Sequence, residues 1–152
     1  MGAAYFYHLT ERPLESTLPV LLSKSLAAGW RVAVRGQSRE YLTELDRRLW
    51  LGEGFLPHGM SGGDHDAMQP VLLTTETTAA NDPNCVMSVA GADVSAEEVE
   101  ALERVCILFD GADQAALERA RNQWRELTKA GVAAQYWAEE GGRWVKKAES
   151  GS

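Results

Sequence analysis

Two arginines and a tryptophan fall close together on one predicted helix in the last third of the sequence. The helix is predicted over residues 113–131, because the segment begins with a favourable N-cap, ends with a helix-stopping glycine and repeats apolar residues at spacings of three and four. Arg121 and Arg125 are one turn apart on the flank that carries Trp124. Cations beside an indole suit an anionic peptide that ends in a large apolar side chain. The helix is therefore a candidate peptide-binding surface.

A purely structural interpretation of the same helix stays open. Tryptophan on the apolar stripe of an amphipathic helix usually belongs to the core, and neighbouring arginines usually form a solvated face. Spacing on one helix does not separate this interpretation from a binding surface. The distinction depends on the elements around the helix.

The surrounding elements alternate between strand and helix along the chain. Strands are predicted over short apolar runs at residues 4–9, 31–34, 71–75, 84–89, 105–109 and 132–137. Further helices are predicted from Thr17 with Pro19 in the first turn, from Ser38, and from Ser95 with Glu98 as a capping box. The alternation predicts an α/β fold of three layers in a single domain, in which helices flank a mostly parallel sheet.

We assign residues 1–147 to this domain and residues 148–152 to a flexible C-terminal tail, and Trp144 is expected to pack against the body. Residues 52–70 lack any period and are rich in Gly, Asp, His and Pro, so a long loop is predicted there. This loop contains four candidate metal ligands, which are His58, Asp64, His65 and Asp66. Their spacing matches no closed tetrahedral set, so no metal site is predicted.

Composition narrows the class of protein. The 152 residues are 45% hydrophobic and 24% charged, which is normal for a globular domain, and the formal net charge is −7. This charge disfavours a protein that coats duplex DNA or an anionic membrane, because both need a basic surface. The sequence has no basic-then-apolar leader and no apolar run long enough to cross a bilayer, so a cytoplasmic protein is expected.

Motifs that would indicate catalysis are missing from the sequence. No GxxxxGK[ST] follows a strand, and Gly52, Gly54 and Gly59 follow a helix instead of the strand that a dinucleotide-binding turn requires. The nucleophile-elbow pattern GxSxG is also missing. The fold is therefore predicted to be Rossmann-like without a nucleotide motif, and neither catalytic residues nor a cofactor is expected.

Three stretches of the sequence carry a family resemblance, and they are AYFYHL at residues 4–9, LDRRLWLGEGFLPHG at residues 45–59 and RARNQWRELTKAG at residues 119–131. Together they resemble the chi subunit of the bacterial DNA polymerase III clamp-loader complex. The middle stretch, with LW followed by FxPH, is the most specific of the three. The order and spacing of the predicted elements also fit that family, so the likeness extends over essentially the whole chain.

This resemblance implies a non-catalytic adaptor in DNA replication. Chi-like proteins bind the acidic C-terminal tail of the single-stranded DNA-binding protein, which ends in Ile-Pro-Phe, and join it to the clamp loader through the psi subunit, so DNA is reached only indirectly. The family's tail pocket corresponds here to Trp50, Phe55, Arg121, Trp124 and Arg125. The terminal ring of the tail is expected to enter a pocket of the three aromatic residues. The arginines are expected to meet carboxylates, to which a guanidinium donates two parallel hydrogen bonds.

One position departs from the family pattern. A basic residue is expected one turn before Arg121, where this sequence has Leu117, unless Arg119, Lys129 or Arg39 takes its place. The affinity for the tail is therefore expected to be weaker, and less dependent on salt, than in members with the full set.

Two functions of other classes stay open. One is a small nucleotide-binding or nucleotide-hydrolysing enzyme on the same α/β layers. The other is direct binding of single-stranded DNA with Trp30, Trp50 and Trp124 as stacking platforms, which the net charge of −7 disfavours.

Overall fold

A computed structural model describes residues 2–51 and 56–151 of the chain. Within these ranges a sheet is formed by β1 (Ala3–Leu9), β2 (Val32–Arg35), β3 (Gly59–Met60), β4 (Val71–Thr74), β5 (Cys85–Ser88), β6 (Arg104–Asp110), β7 (Ala133–Glu140) and β8 (Arg143–Ser150). The α-helices of the same ranges are α1 (Leu14–Ala27), α2 (Arg39–Leu51), α3 (Ala96–Ala101) and α4 (Gln114–Lys129), and a 3-10 turn spans Asp66–Met68.

The order of the strands across the sheet is β3-β4-β2-β5-β6-β1-β7-β8. Neighbouring strands are parallel except β7 and β8, which form an antiparallel pair at one edge. β1 comes first in the chain but lies between β6 and β7, so that Phe6 is level with Ile107 on one side and with Tyr136 on the other. The predicted α/β fold with a mostly parallel sheet is confirmed.

Side chains alternate along the strands and divide the core into two layers, one on each face of the sheet. On β1, for example, Tyr7 belongs to the layer on the first face and Phe6 to the layer on the second. α1 and α2 cover the first face with Leu18, Leu22, Leu42, Leu45 and Leu49. α3 and α4 cover the second face with Val99, Ala120 and Leu127. The predicted three-layer arrangement is therefore also confirmed.

α1 begins earlier in the chain than predicted. Its N-cap residue is Pro13, whose carbonyl oxygen accepts hydrogen bonds from the backbone N–H groups of Ser16 and Thr17. Thr17 is consequently buried inside the helix, and Pro19 lies beyond the first turn. The prediction of Thr17 as the cap is wrong because the fixed φ of Pro13 already suits the start of a helix.

Two other segments differ in detail from the predictions. A loop was predicted over residues 52–70, but the described portion of this range contains β3 and the 3-10 turn. β3 pairs with β4, with Gly59 level with Leu72. At the other edge, β8 pairs with β7 as far as Ser150, so residues 148–150 of the expected flexible tail lie within a strand. Trp144 packs edge-on against Tyr7 with ring centroids 5.1 Å apart, as expected.

Candidate peptide-binding site

The position of α4 is fixed at both ends by the predicted signals. The carboxylate of Asp113 accepts hydrogen bonds from the backbone N–H groups of Ala115 and Ala116 at 3.0 and 3.2 Å. Gly131, just beyond the helix, has a φ of +86°, a conformation that residues with a side chain rarely adopt. These caps orient the helix before any partner binds.

The exposed flank of α4 carries both predicted arginines. The buried stripe of the helix consists of Ala120, Gln123 and Leu127. Arg121 and Arg125 are exposed, and Arg125 donates a hydrogen bond to the side-chain oxygen of Asn122. Within residues 2–51 and 56–151, neither guanidinium forms an ion pair with a carboxylate. Both charges are therefore available to an anionic partner.

Trp124 is half-buried and follows Arg121 by one turn. Its ring meets Phe6 of β1 and Tyr136 of β7 edge-on, with centroid distances of 5.4 and 5.9 Å. Phe6 and Tyr136 are stacked on each other at 6.2 Å, so the indole lies on an aromatic floor that the sheet supplies. Trp124 therefore packs on the core and leaves part of its side chain at the surface, and its role in peptide binding stays a prediction.

His8 and Tyr136 extend this surface beyond the predicted residues. Nδ1 of His8 lies 2.9 Å from the hydroxyl oxygen of Tyr136. Burial lowers the pKa of His8, and the charge of Arg121 lowers it further. Burial raises the pKa of Tyr136, and the same charge opposes that rise. We call Arg121, Trp124, Arg125, His8 and Tyr136 the α4 surface.

Strand alternation is the sequence signal that would have identified His8. It follows Phe6 by two residues on a predicted strand and so must lie on the same face of the sheet. Tyr136 carries no comparable signal, because its place beside Phe6 depends on the pairing of β1 with β7.

Trp50 is on the other side of the sheet from the α4 surface. It lies in the last turn of α2, whose leucines pack on the first face, whereas α4 packs on the second. Trp50 is 51% exposed, and its ring centroid is 4.1 Å from that of His58. The structure does not bring Trp50 together with Arg121 and Arg125, so the expectation of one pocket with both tryptophans is corrected. Phe55 lies outside the described residues.

His58 has internal partners for both of its ring nitrogens. It is 4% exposed, with Nδ1 2.7 Å from the carbonyl oxygen of Leu56 and Nε2 3.1 Å from a carboxylate oxygen of Asp46. The carboxylate of Asp66 accepts hydrogen bonds from two backbone N–H groups of the neighbouring glycine turn. Over the described ranges, no group of three or more His, Cys, Asp and Glu side chains is arranged to hold a metal ion.

Most of the chain matches one protein family. The family model for the DNA polymerase III chi subunit, HolC, matches residues 1–135. The chain belongs to this family. The match includes α2 and α4 and ends inside β7, one residue before Tyr136. Membership gives this chi protein an accessory role in DNA replication, in association with the polymerase III clamp loader. A comparison with curated proteins gave no match.

This chi protein has a cavity of about 700 Å³. It lies at the carboxyl ends of the neighbouring strands β1 and β6, and the helices that follow these strands, α1 and α4, cover opposite faces of the sheet. Doubly wound folds bind nucleotides at the corresponding position. Oε1 of Glu139 accepts hydrogen bonds there from the backbone N–H groups of Thr10, Glu11 and Arg12 at 3.2, 3.3 and 3.3 Å. The protein's own carboxylate thus occupies donors that a phosphate would need, which disfavours a nucleotide-dependent enzyme.

The three tryptophans of the DNA-binding alternative do not form a common platform in the chi protein. Trp30 lies beside Arg104, Trp50 lies beside His58, and Trp124 is on the second face.

In the portion that the structure describes, no helix has both the length and the apolar character needed to cross a bilayer.

Proposed function

We propose that this chi protein is a non-catalytic adaptor that binds the acidic C-terminal tail of the single-stranded DNA-binding protein on the α4 surface and links it to the clamp loader through psi. One observation carries the proposal. Arg121 and Arg125, which have no carboxylate partner in the described residues, lie beside the half-exposed Trp124. An acidic chain end with a terminal aromatic ring matches both the charge and the apolar character of this surface.

The two arginines supply local attraction on a protein whose net charge of −7 repels acidic peptides. Each guanidinium donates up to two parallel hydrogen bonds to a carboxylate, and the side chains are one helical turn apart. They suit the carboxylate at the chain end and an acidic side chain that precedes it. Because both arginines are exposed, salt should screen the attraction and weaken binding.

The apolar portion of the surface is suited to the terminal ring of the tail. Trp124 is held in orientation by its two edge-on contacts with Phe6 and Tyr136. A preoriented ring loses little conformational freedom when a partner binds, which favours affinity. We assign the terminal phenylalanine to the exposed portion of Trp124 and to Tyr136, and no contact is assigned to Trp50.

A second partner surface is proposed at the C-terminal end of α2. Trp50 and Leu51 are neighbours there and are 51% and 71% exposed. Adjacent exposed apolar side chains are typical of protein interfaces, and we assign this one to psi. Because α2 and α4 cover opposite faces of the sheet, occupation of one surface leaves the other open. An adaptor needs this separation, since it holds both partners at once.

Titration of a fluorescent peptide that ends in Asp-Ile-Pro-Phe tests the tail site. The wild type should bind saturably and more tightly at low salt than at high salt. Arg125→Ala and Trp124→Ala should each weaken binding about thirtyfold, which corresponds to about 2 kcal/mol at a hot spot. Trp50→Ala is the matched control and should bind like the wild type. The site is refuted by a lack of saturable binding or by undiminished affinity in both α4 variants.

A further inference from the structure

A groove on the first face of the sheet lies between α1 and side chains of strands β1, β5, β6, β7 and β8. Its cavity has a volume of about 490 Å³, within the range of roughly 300–1,000 Å³ that is usual for small-molecule sites. Its aromatic lining consists of Tyr5, Tyr7, Trp30, Trp137 and Trp144. We call this cavity the α1 groove. It is separated from the α4 surface by the sheet.

The side chains of the groove are held in fixed orientations. The guanidinium carbon of Arg104 lies over the rings of both Tyr5 and Trp30, 4.1 and 5.1 Å from their centroids. Tyr7 and Trp144 meet edge to face at 5.1 Å. These contacts order the aromatic wall before any ligand enters, so less conformational freedom is lost on binding.

The charge of the α1 groove is opposite to that of the whole protein. Its cations are Arg12, Lys24 and Arg104, and no Asp or Glu of the described residues lines it. Arg12 is near the carboxylate of Glu139, but Lys24 and Arg104 form no ion pair within the described chain. Two uncompensated cations on an aromatic wall favour an anionic ligand with a flat apolar group.

Thr17 provides an independent sign of a missing polar partner. It lines the groove and is 5% exposed, and in the described residues its Oγ1 has no hydrogen-bond partner. Buried hydroxyl groups are nearly always hydrogen-bonded, because an unmade bond leaves their desolvation uncompensated. Thr17 therefore marks a position beside the groove at which the described residues supply no polar partner.

We propose that the α1 groove binds a nucleotide unit, either as a free nucleotide or as a unit within a single strand of DNA. The base stacks on the indole wall, and Lys24 and Arg104 hold the phosphate. Aromatic faces beside a cationic rim are the features with which proteins bind single strands without sequence preference. An acidic peptide would use the cations equally well, and the experiments below distinguish it from a nucleotide through the indoles of Trp30, Trp137 and Trp144.

NMR of the indole N–H groups tests the proposal, because the five tryptophans of the chain report on separate places. The resonances are assigned with single Trp→Phe variants, and dTMP or a short oligothymidylate is added at low salt. Trp30, Trp137 and Trp144 should shift, whereas Trp50 and Trp124 should not. Shifts with dTMP alone support a site for a free nucleotide, and shifts only with the oligomer support a site for a strand. No shift in the first group with either probe overturns the proposal.

Two exposed lysines provide a matched pair of charge variants. Lys24 and Lys129 each lie in the last turn of a helix, α1 and α4 respectively, and their substitution by Glu changes the net charge equally. Lys24→Glu should weaken oligothymidylate binding and reduce its salt slope by about 0.7, the value for one lost phosphate contact on a single strand. Lys129→Glu should leave both unchanged. Equal weakening by the two variants would overturn the proposal, because net charge would then explain the binding.

Peptide binding separates the α1 groove from the tail site. The Asp-Ile-Pro-Phe peptide should bind Lys24→Glu as tightly as it binds the wild type, since the groove and the α4 surface are on opposite faces. A peptide that shifts Trp30, Trp137 and Trp144, with no effect of the nucleotide probes, would make the groove a peptide site and overturn the nucleotide proposal. Failure of nucleotide binding with normal peptide binding would leave the tail proposal intact.

Discussion

Trp50 and Arg125 lie on opposite faces of the sheet, although both correspond to tail-pocket positions in the resemblance to chi subunits. Leu42, Leu45 and Leu49 hold α2 on the first face, and the buried stripe of α4 holds Arg125 above the second. One short peptide bound at Arg125 does not reach through the sheet. Substitutions at the two residues should therefore affect different partners.

Trp50→Ala and Trp124→Ala are expected to separate the two binding functions. Trp124→Ala should weaken the tail peptide about thirtyfold and leave psi binding unchanged, and Trp50→Ala should do the reverse. Peptide titration and co-purification with psi measure the two effects. Thermal unfolding of both variants controls for stability, since Trp124 also packs on the core. Loss of peptide binding in Trp50→Ala would show that the two surfaces are not independent.

Leu117→Lys should strengthen binding of the tail. The residue is one turn before Arg121 on the same flank, so a lysine there lengthens the row of cations. An exposed ion pair contributes at most about 1 kcal/mol, so the gain should be up to about fivefold at low salt and should disappear at high salt. Leu117→Met is the control, because Leu117 is partly buried and both substitutions alter its packing. Equal affinities of the two variants at low salt would contradict the prediction.

The pKa of His8 should rise when the tail binds. In the free protein, burial lowers this pKa and the charge of Arg121 lowers it further. A tail carboxylate that pairs with Arg121 brings negative charge near the imidazole and opposes that effect. By linkage, tail affinity should increase as the pH falls through the range in which His8 is protonated.

NMR titration of the His8 ring with and without peptide measures this change. Arg121→Ala is the control, since it should raise the pKa of His8 in the free protein and reduce the further rise with peptide. An unchanged pKa of His8 in the complex would mean that the tail carboxylates lie elsewhere.

Glu98→Gln should destabilise the fold through the buried side chain of Arg35. The guanidinium of Arg35 donates to both carboxylate oxygens of Glu98, at 2.5 and 3.1 Å. Gln retains the capping-box position after Ser95 but leaves the buried cation without a counter-charge. The expected loss is about 3 kcal/mol, at the lower end for buried pairs because Glu98 is partly exposed. Urea unfolding at neutral pH measures it, with the exposed Glu97→Gln as control.

The effect of Glu98→Gln should also depend on pH. Burial raises the pKa of Glu98, but its hydrogen bonds with Arg35 and Ser95 outweigh burial, and the net shift is downward. The stabilisation from this carboxylate is therefore complete above its unfolded-state pKa and is lost as the pH falls through its folded-state pKa. The stability difference between wild type and variant should shrink in acid. A difference that persists at low pH would show that the charge is not its cause.

The secondary structure was largely predictable because its signals are local. Asp113 caps α4, Gly131 ends it, and Ser95 forms a capping box with Glu98, each through contacts within a few residues. Local signals fail at α1, because Thr17 is a favourable N-cap residue by type, yet the N-cap of the helix is Pro13.

The separation of Trp50 from Arg121 and Arg125 was not predictable from the sequence. The face of the sheet that a helix covers depends on the order of the strands, which the sequence does not show. α1 and α2 connect to strands that lie toward the β3 edge, whereas α3 and α4 connect to strands that lie toward the β8 edge. Right-handed crossovers then place the two pairs of helices on opposite faces. Tyr136 was missed for a similar reason, since it meets His8 only through a strand pairing across 128 positions.

The central place of β1 has a consequence for biosynthesis. This strand is synthesised before the other strands of the described sheet, yet Ala3 pairs with Arg104 on one side and with Ala133 on the other. The nascent chain must therefore carry an aromatic strand without sheet neighbours until its last third has been translated. Folding that depends on such distant segments is slow to begin, and during this interval the tyrosines of β1 are exposed to chaperones and to aggregation.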